Sequence, residues 1–378
     1  QGIMINKHSI YNWLFFPLLA SLLAGSATSC INDPAMEEDT SGKSTLSITV
    51  RGVTNDPTQD GYDEYIQTLR IIVFDASGLI CNKFYSHDDI AKWEVKGSSP
   101  NTYYDITQEL QNFSGGNCRF YFIANEEGYN IYNNATPTSL YYYLYSTDLT
   151  EAQLKECIVA STPDNQDWSK KPILMIANPS AQYIKPGDNI KIADVKLIRC
   201  VAKVQLIVQK DNTAENKIPE SDVVTISDAS LHGTRPESYS LWDTKSYFAI
   251  NNSEYQHDFT ITDDNKTVGY GTDGSPAYTS DMVYFPEKLY QDNTAEGDLY
   301  FTFTLTYKPE GGTAIERTYT VAIGEDADKD GTVVDYNIYR NTVYTVTATL
   351  QWQPTEPTMN IQVDAWDGEV KVDVPDFE

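Results

Sequence analysis

Few residues in this 378-residue chain have the type and spacing to do chemistry. Cys30 closes a run of small residues, Gly25-Ser26-Ala27-Thr28-Ser29, behind an apolar stretch from Trp13 to Ala24. A thiol in that setting is placed for acylation on sulfur after export. Two or three acyl chains, at about 0.8 kcal/mol per buried CH₂, anchor a protein stably to a membrane. Asp326-Ala-Asp328-Lys-Asp330-Gly331 sets carboxylates at the first, third and fifth positions of a calcium loop and glycine at the sixth. The twelfth position is Asn337 rather than a bidentate Glu, and the flanks read as strands. An acidic hairpin turn therefore competes with this weak calcium candidate. Ser139–Tyr145 (SLYYYLY) is either an aromatic platform for a glycan or protein, or a segment packed against a sheet. His87, His232 and His257 lie in no nucleophile motif and read as surface or turn residues. No catalytic site and no cofactor are expected.

Composition narrows the class. With 54 Asp+Glu against 27 Lys+Arg, the formal charge is −27, which repels phosphate backbones and excludes a nucleic-acid partner. Hydrophobic residues at 40% and aromatics at 12% suffice for packed cores. The 27 Tyr against 13 Phe and 6 Trp point to sheets that are half buried and half wet. Residues 5–29 read as an export signal, with Met4 the expected start. The apolar run is shorter than a membrane span of about 20 residues and is broken by Pro17. Residues 1–29 are thus a lipoprotein signal peptide, and 30–43 an acidic tether carrying Glu37-Glu38-Asp39. Cys81, Cys118, Cys157 and Cys200 form no CxxC and read as buried thiols, with one bridge between strands left open.

The elements that would position these groups are mostly strands. Ser44–Val50 alternates apolar and hydroxyl residues, and Thr68–Phe74 is a continuous apolar run stopped by Asp75-Ala-Ser-Gly78. Arg119–Ala124, Pro172–Ala177 and Ile190–Leu197 follow. Thr150-Glu-Ala-Gln153 has capping-box form and opens a helix running to Ala160. From Cys200 the strands lengthen: Val201–Val208, Val223–Leu231, Asp281–Phe285, Leu299–Tyr307, Arg317–Ile323 and Thr342–Gln351. Asn360–Ala365 and Glu369–Val374 close the chain. This spacing predicts a mainly β protein of two β-sandwich domains, with a few short helices in the first. Residues 44–198 would form the N-terminal domain and 199–378 the C-terminal one.

The landmarks Ser44–Val50, Arg119-Phe-Tyr-Phe-Ile-Ala-Asn125, Val195-Lys-Leu-Ile-Arg-Cys-Val-Ala-Lys203, Ile338-Tyr-Arg-Asn-Thr-Val-Tyr344 and Val363-Asp-Ala-Trp366 occur in a specific order. In that order, and with the Cys30 signal, the chain resembles the fimbrillin family of the Bacteroidales, the subunits of type V pili. The resemblance implies Greek-key, transthyretin-like sandwiches exported as a lipoprotein to the outer membrane and cell surface. It implies removal of the first strand by an Arg-specific protease. The C-terminal strands of another subunit then fill the groove, supporting adhesion. Implied partners are other pilins, in homopolymers or with accessory subunits, outer-membrane lipid through acylated Cys30, and a host receptor or glycan.

Mapped onto this chain, strand 44–51 is removed by cleavage after Arg51. The tail 360–378 would donate Val370, Val372 and Val374, with Trp366 as anchor, against the alternative that Glu369–Val374 is an edge strand folded on its own domain. Five side chains reburied at about 1.5–3 kcal/mol each would give roughly 8–15 kcal/mol before ordering costs. Residues 52–69 hold no Lys or Arg, so Arg51 stands alone at the strand's edge where the family's stalk subunits carry the cleaved Arg in the following loop. Two readings stay open: a polymerising stalk subunit, or a surface lipoprotein, anchor or tip subunit that keeps its first strand and binds a glycan or protein.

Overall fold

The computed structural model describes residues 44–51, 65–97, 103–110, 115–132, 138–161, 171–242, 252–272, 274–290, 299–324, 335–351 and 358–365. Twelve strands come from the first half: β1 (Ser44–Arg51), β2 (Leu69–Asp75), β3 (Gly78–Tyr85), β4 (Tyr103–Leu110), β5 (Gly116–Ala124), β6 (Asn130–Ile131), β7 (Thr138–Ser139), β8 (Ile158–Ala160), β9 (Met175–Ala177), β10 (Gln182–Ile184), β11 (Asn189–Lys196) and β12 (Ile198–Arg199). Three short helices join them among the described residues: α1 (His87–Ile90), α2 (Leu140–Leu144) and α3 (Glu151–Lys155). The second half supplies β13 (Val201–Lys210), β14 (Val223–Pro236), β15 (Ser238–Ser240), β16 (Asn252–Asp258), β17 (Tyr278–Thr279), β18 (Val283–Pro286), β19 (Leu299–Lys308), β20 (Ile315–Ala322), β21 (Val343–Gln351) and β22 (Thr358–Ala365). The protein is mainly β, as the sequence predicts.

In the first half, sheet β11-β1-β4 faces sheet β12-β9-β5-β2-β3, with β10 also paired to β5. The β2 run is buried along its whole length because both its faces are covered, which is why it is apolar without alternation. Leu69, Ile71 and Val73 pack with β1, β4 and β11 on one side. Ile72 and Phe74 pack with Leu140, Leu144, Leu154 and Val159 on the other. The second half stacks β17-β13-β21-β22, with β18 on β13, over β16-β14-β19-β20. Here β13, β19 and β21 alternate buried and half-exposed residues, so each has one wet face. Their inward side chains form a separate core around Val204, Leu206, Phe301, Phe303, Val346 and Ala348.

A third apolar core spans the passage between halves. It joins Tyr121, Ile123 and Leu174 to Cys200, Val201, Tyr239, Leu241 and Trp242. The chain crosses at Cys200, and β15 returns to pair with β8. At this junction Arg340 is buried with Glu287, Nε and Nη2 donating to Oε2 at 2.9 and 2.5 Å. Its Nη1 and Nη2 also donate to the carbonyls of Leu241 and Ser240 at 2.8 and 2.6 Å. Burial alone would lower the Arg340 pKa, yet Glu287 holds it above the ordinary arginine value. The next residue, Asn341, takes the left-handed conformation (φ 58°), and its Oδ1 accepts from the Arg199 backbone N–H at 3.2 Å. A second buried pair sits in the first half, where Arg70 Nη2 donates to Glu126 Oε1 at 2.5 Å. Burial there pushes the Glu126 carboxyl above its ordinary range despite the guanidinium.

The structure corrects several sequence expectations. The capping box at Thr150 is present, but the helix ends at Lys155 and Ile158–Ala160 is strand β8. That segment takes its strand partner from residues 238–240, a distant part of the chain that local periodicity does not reveal. His232 and His257 lie within strands β14 and β16 rather than in turns. Cys81, Cys118, Cys157 and Cys200 are free thiols, as the sequence suggests, and burial pushes Cys157 and Cys200 up to about 12. Cys30, the signal and tether of residues 1–43, the Asp326, Asp328 and Asp330 loop, and Trp366, Val370, Val372 and Val374 all lie outside the described residues.

Replacing Arg340 by Ala strands the Glu287 carboxylate and is expected to cost about 3–5 kcal/mol in urea unfolding. Arg340→Lys should recover little, because an ammonium cannot reach Glu287 and both carbonyls as a planar fork does.

Candidate functional site

The site of interest is the strand the sequence singles out for removal. In Ser44–Arg51, hydroxyl residues alternate with Leu46, Ile48 and Val50, and these three are fully buried against β2 and β5. β1 is a middle strand. On one side it runs antiparallel to β4, with Ser44 opposite Leu110 and Arg51 opposite Tyr103. On the other it runs parallel to β11, from Thr45 opposite Asn189 to Arg51 opposite Lys196, with a bulge between Ile48 and Val50. Among the described residues β4 and β11 pair with no other strand. Without β1 they would be two bare edges facing each other across an apolar floor.

Polar contacts fix its register. Ser44 Oγ donates to the Lys185 carbonyl at 3.2 Å and accepts from the Gly187 N–H at 3.0 Å, so the Lys185–Asp188 turn clasps the strand's start. Gly187 takes φ 83°, which that turn requires. On the outer face, Thr49 Oγ1 donates to Asp105 Oδ1 at 2.8 Å, and Lys96 Nζ donates to Asp105 Oδ2 at 3.0 Å. The Thr49 hydroxyl first, then Lys96, hold the Asp105 carboxyl below its ordinary range. Arg51 is the last residue of β1, and its backbone is paired on both sides.

With Leu46, Ile48 and Val50 buried, the gross apolar gain of β1 itself is about 5–9 kcal/mol. β22, at Thr358–Ala365, pairs antiparallel with β21 of its own chain, with Ala365 opposite Tyr344. Sequence reasoning missed β4, although Tyr104, Ile106 and Leu110 mark its inward face. The Ser139–Tyr145 segment is helix α2, with Leu140 and Leu144 buried beneath the tyrosines. Among the described residues, no cluster of three or more metal-ligating side chains occurs, and no helix is long and apolar enough to cross a membrane.

No family model matches the chain, and no curated protein does. Solved structures do. The tip fimbrial protein Mfa3 of Porphyromonas gingivalis, with its C terminus truncated, superposes at a TM-score of 0.50 with 16% identity, covering 86% of this chain and 100% of that one. The chain has the fold of a fimbrial protein. A fimbrial assembly protein of Parabacteroides distasonis aligns at 0.46 and 14% identity, over 85% of this chain and 98% of its own. A fimbrial protein of Bacteroides vulgatus aligns at 0.46 and 13%, over 85% and 99%. At these identities the likeness concerns the fold.

Leu46→Ala should cost about 2–5 kcal/mol, whereas outward Ser47→Ala should stay within about 0.5 kcal/mol, both read from urea midpoints. The Asp105 contribution exists above the ordinary aspartate pKa and is lost as pH falls through the lowered folded value. Thr49→Val should therefore flatten the acid limb of the stability–pH curve and leave neutral-pH titration unchanged.

Proposed function

We propose that this chain is a structural subunit of a cell-surface fimbria. It is exported as a lipoprotein acylated at Cys30, processed after Arg51, and joined to other pilin subunits by strand exchange in support of adhesion. One observation carries the reading: β1 is a middle strand whose loss would leave two unpaired edges and an apolar floor. A strand from another subunit can complete such a sheet. The tail suits that place, because Val370, Val372 and Val374 repeat the two-residue spacing of Leu46, Ile48 and Val50. A contact of this kind is head to tail and yields open filaments. The reading places the subunit at the outer membrane and cell surface, and assigns it no catalysis, cofactor or nucleic acid.

A second reading has its own support. The Arg51 backbone is paired on both sides and residues 52–69 offer no other basic residue, which favours an anchor or tip subunit that keeps β1. The fold likeness to a protein described as a fimbrial tip accords with it.

N-terminal sequencing of protein taken from cells separates the two. A chain that begins at Gly52 and runs as a heat-sensitive ladder on gels supports polymerisation. One that begins at lipidated Cys30 and runs only as a monomer refutes it. Deleting residues 369–378 should abolish the ladder and leave the monomer's melting temperature unchanged.

A further inference from the structure

The two walls beside β1 carry opposite charge. On β4 the outward residues run Asp105, Thr107 and Glu109, and on β11 they include Lys191 and Lys196. Register fixes which charge each outward position of β1 meets. Thr45 lies between Glu109 and Asn189, and Ser47 between Thr107 and Lys191. Thr49 lies beside Asp105, and the Arg51 position is between Tyr103 and Lys196. After Thr49 and Lys96, Lys191 also helps hold the Asp105 carboxyl down, as a cation on the same face does. Beneath this face, Leu46, Ile48 and Val50 fill three apolar places.

The tail reads Glu369-Val370-Lys371-Val372-Asp373-Val374. In a strand its three valines share one face, and Glu369, Lys371 and Asp373 share the other. Two directions put all three valines in the three apolar places. Running as β1 does, Val370 takes the place of Leu46. Glu369 then meets Glu109, Lys371 meets Lys191, and Asp373 meets Asp105. Every outward charge faces its like, which is destabilising across paired strands. Running the opposite way, Val374 takes the place of Leu46 and Val370 that of Val50. Asp373 then meets Lys191, Lys371 meets Asp105, and Glu369 meets Lys196. Every outward charge faces its opposite. With Thr49 gone, Asp105 Oδ1 is free for Lys371 while Lys96 keeps Oδ2. Sliding the forward strand by two residues also matches the charges, but it sets Gly368 in the place of Leu46 and leaves a cavity there.

From this pattern we infer that the slot takes residues 369–374 of a second copy of this chain, running opposite to β1. The incoming strand is antiparallel to β11 and parallel to β4. Its valines supply the apolar burial, and the charged walls set its direction and register. Asp105, Lys191 and Lys196 thereby choose the partner strand, because a tail with the reverse charge order meets three like charges in this direction. The inference rests on the strand-exchange reading and adds the orientation and the residues that select it.

The test uses full chains assembled on cells, each with one cysteine added in the slot and one in the tail. Lys191→Cys with Asp373→Cys should, after mild oxidation, give a ladder that survives boiling and collapses on reduction. Asp105→Cys with Asp373→Cys reports the forward strand, and Lys196→Cys with Asp373→Cys the slid one. In the inferred strand both of these pairs lie beyond disulfide reach and should give no such ladder. Separately, Lys191→Glu should reduce the heat-sensitive ladder by up to about fivefold, and adding Asp373→Lys should restore it. Lys191 is exposed, so the monomer's melting temperature should not move. Crosslinking by either other pair, by none while the heat-sensitive ladder forms, or no rescue by Asp373→Lys overturns this inference and leaves strand exchange standing. Chains that never form a ladder overturn strand exchange and this inference with it.

Discussion

Everything at the N-terminal end of this molecule depends on one unusual dependency between strands. β4 and β11 are each held in the fold through β1, which supplies hydrogen-bond partners to both, one antiparallel and one parallel. Backbone donors and acceptors must be paired where water is shut out. A strand in the middle of a sheet therefore satisfies two neighbours at once, and its departure exposes both. In most sheets the first strand in sequence can sit at an edge, where its loss bares only one neighbour. Here the first described strand is the one on which both neighbours depend.

The rest of the fold is arranged so that this dependency stays local. Leu46, Ile48 and Val50 belong to the core between the two N-terminal sheets. The core that spans the junction and the core of the second half contain no residue of β1. Arg340 and Glu287 tie β15, the Cys200 crossing and the segment before β21 together through bonds that β1 does not share. The Arg70–Glu126 pair fixes β2 to the turn after β5 on the opposite face of the same sheet. Asn125 there takes φ 64°, and its side chain bonds Gln67, Tyr65 and Ile173. Such buried ion pairs add little net stability over apolar replacements, but one set of partners satisfies them, and so they specify register.

How much of this was legible in the residues follows from what each element answers to. Strands with one wet face, such as β13, β19 and β21, announce themselves by alternation, and β2 by an unbroken apolar run. β1 was visible for the same reason, since Ser47 and Thr49 separate Leu46, Ile48 and Val50. What could not be read is partnership over distance. The parallel pairing of β1 with β11 joins residues about 145 positions apart, and the capture of Ile158–Ala160 by Ser238–Ser240 cut short a helix that its own capping box begins correctly. Arg70 and Arg340 were equally opaque, because charged residues sit at the surface by default and nothing in a linear pattern marks an exception. Within the candidate site, the strand itself was legible and its neighbours were not.

The tyrosine excess resolves into two populations with different physics. Inside, tyrosine rings fill cores while their hydroxyls reach polar partners: Tyr121 bonds Glu151, Tyr307 bonds Asp222, and Tyr344 bonds the Asn337 carbonyl. A phenylalanine in these places would remove one hydrogen bond from each partner, so the hydroxyls help an acidic chain hold carboxylates near its cores. Outside, Tyr142, Tyr145 and Tyr183 expose most of their surface with no core to fill. Their rings are carried by a short helix and a short strand. Exposed aromatic surface is costly in water unless something covers it. The rings of Tyr141 and Tyr145 stack on each other, and Tyr141 in turn covers Arg70, so part of that aromatic surface is covered from within the fold.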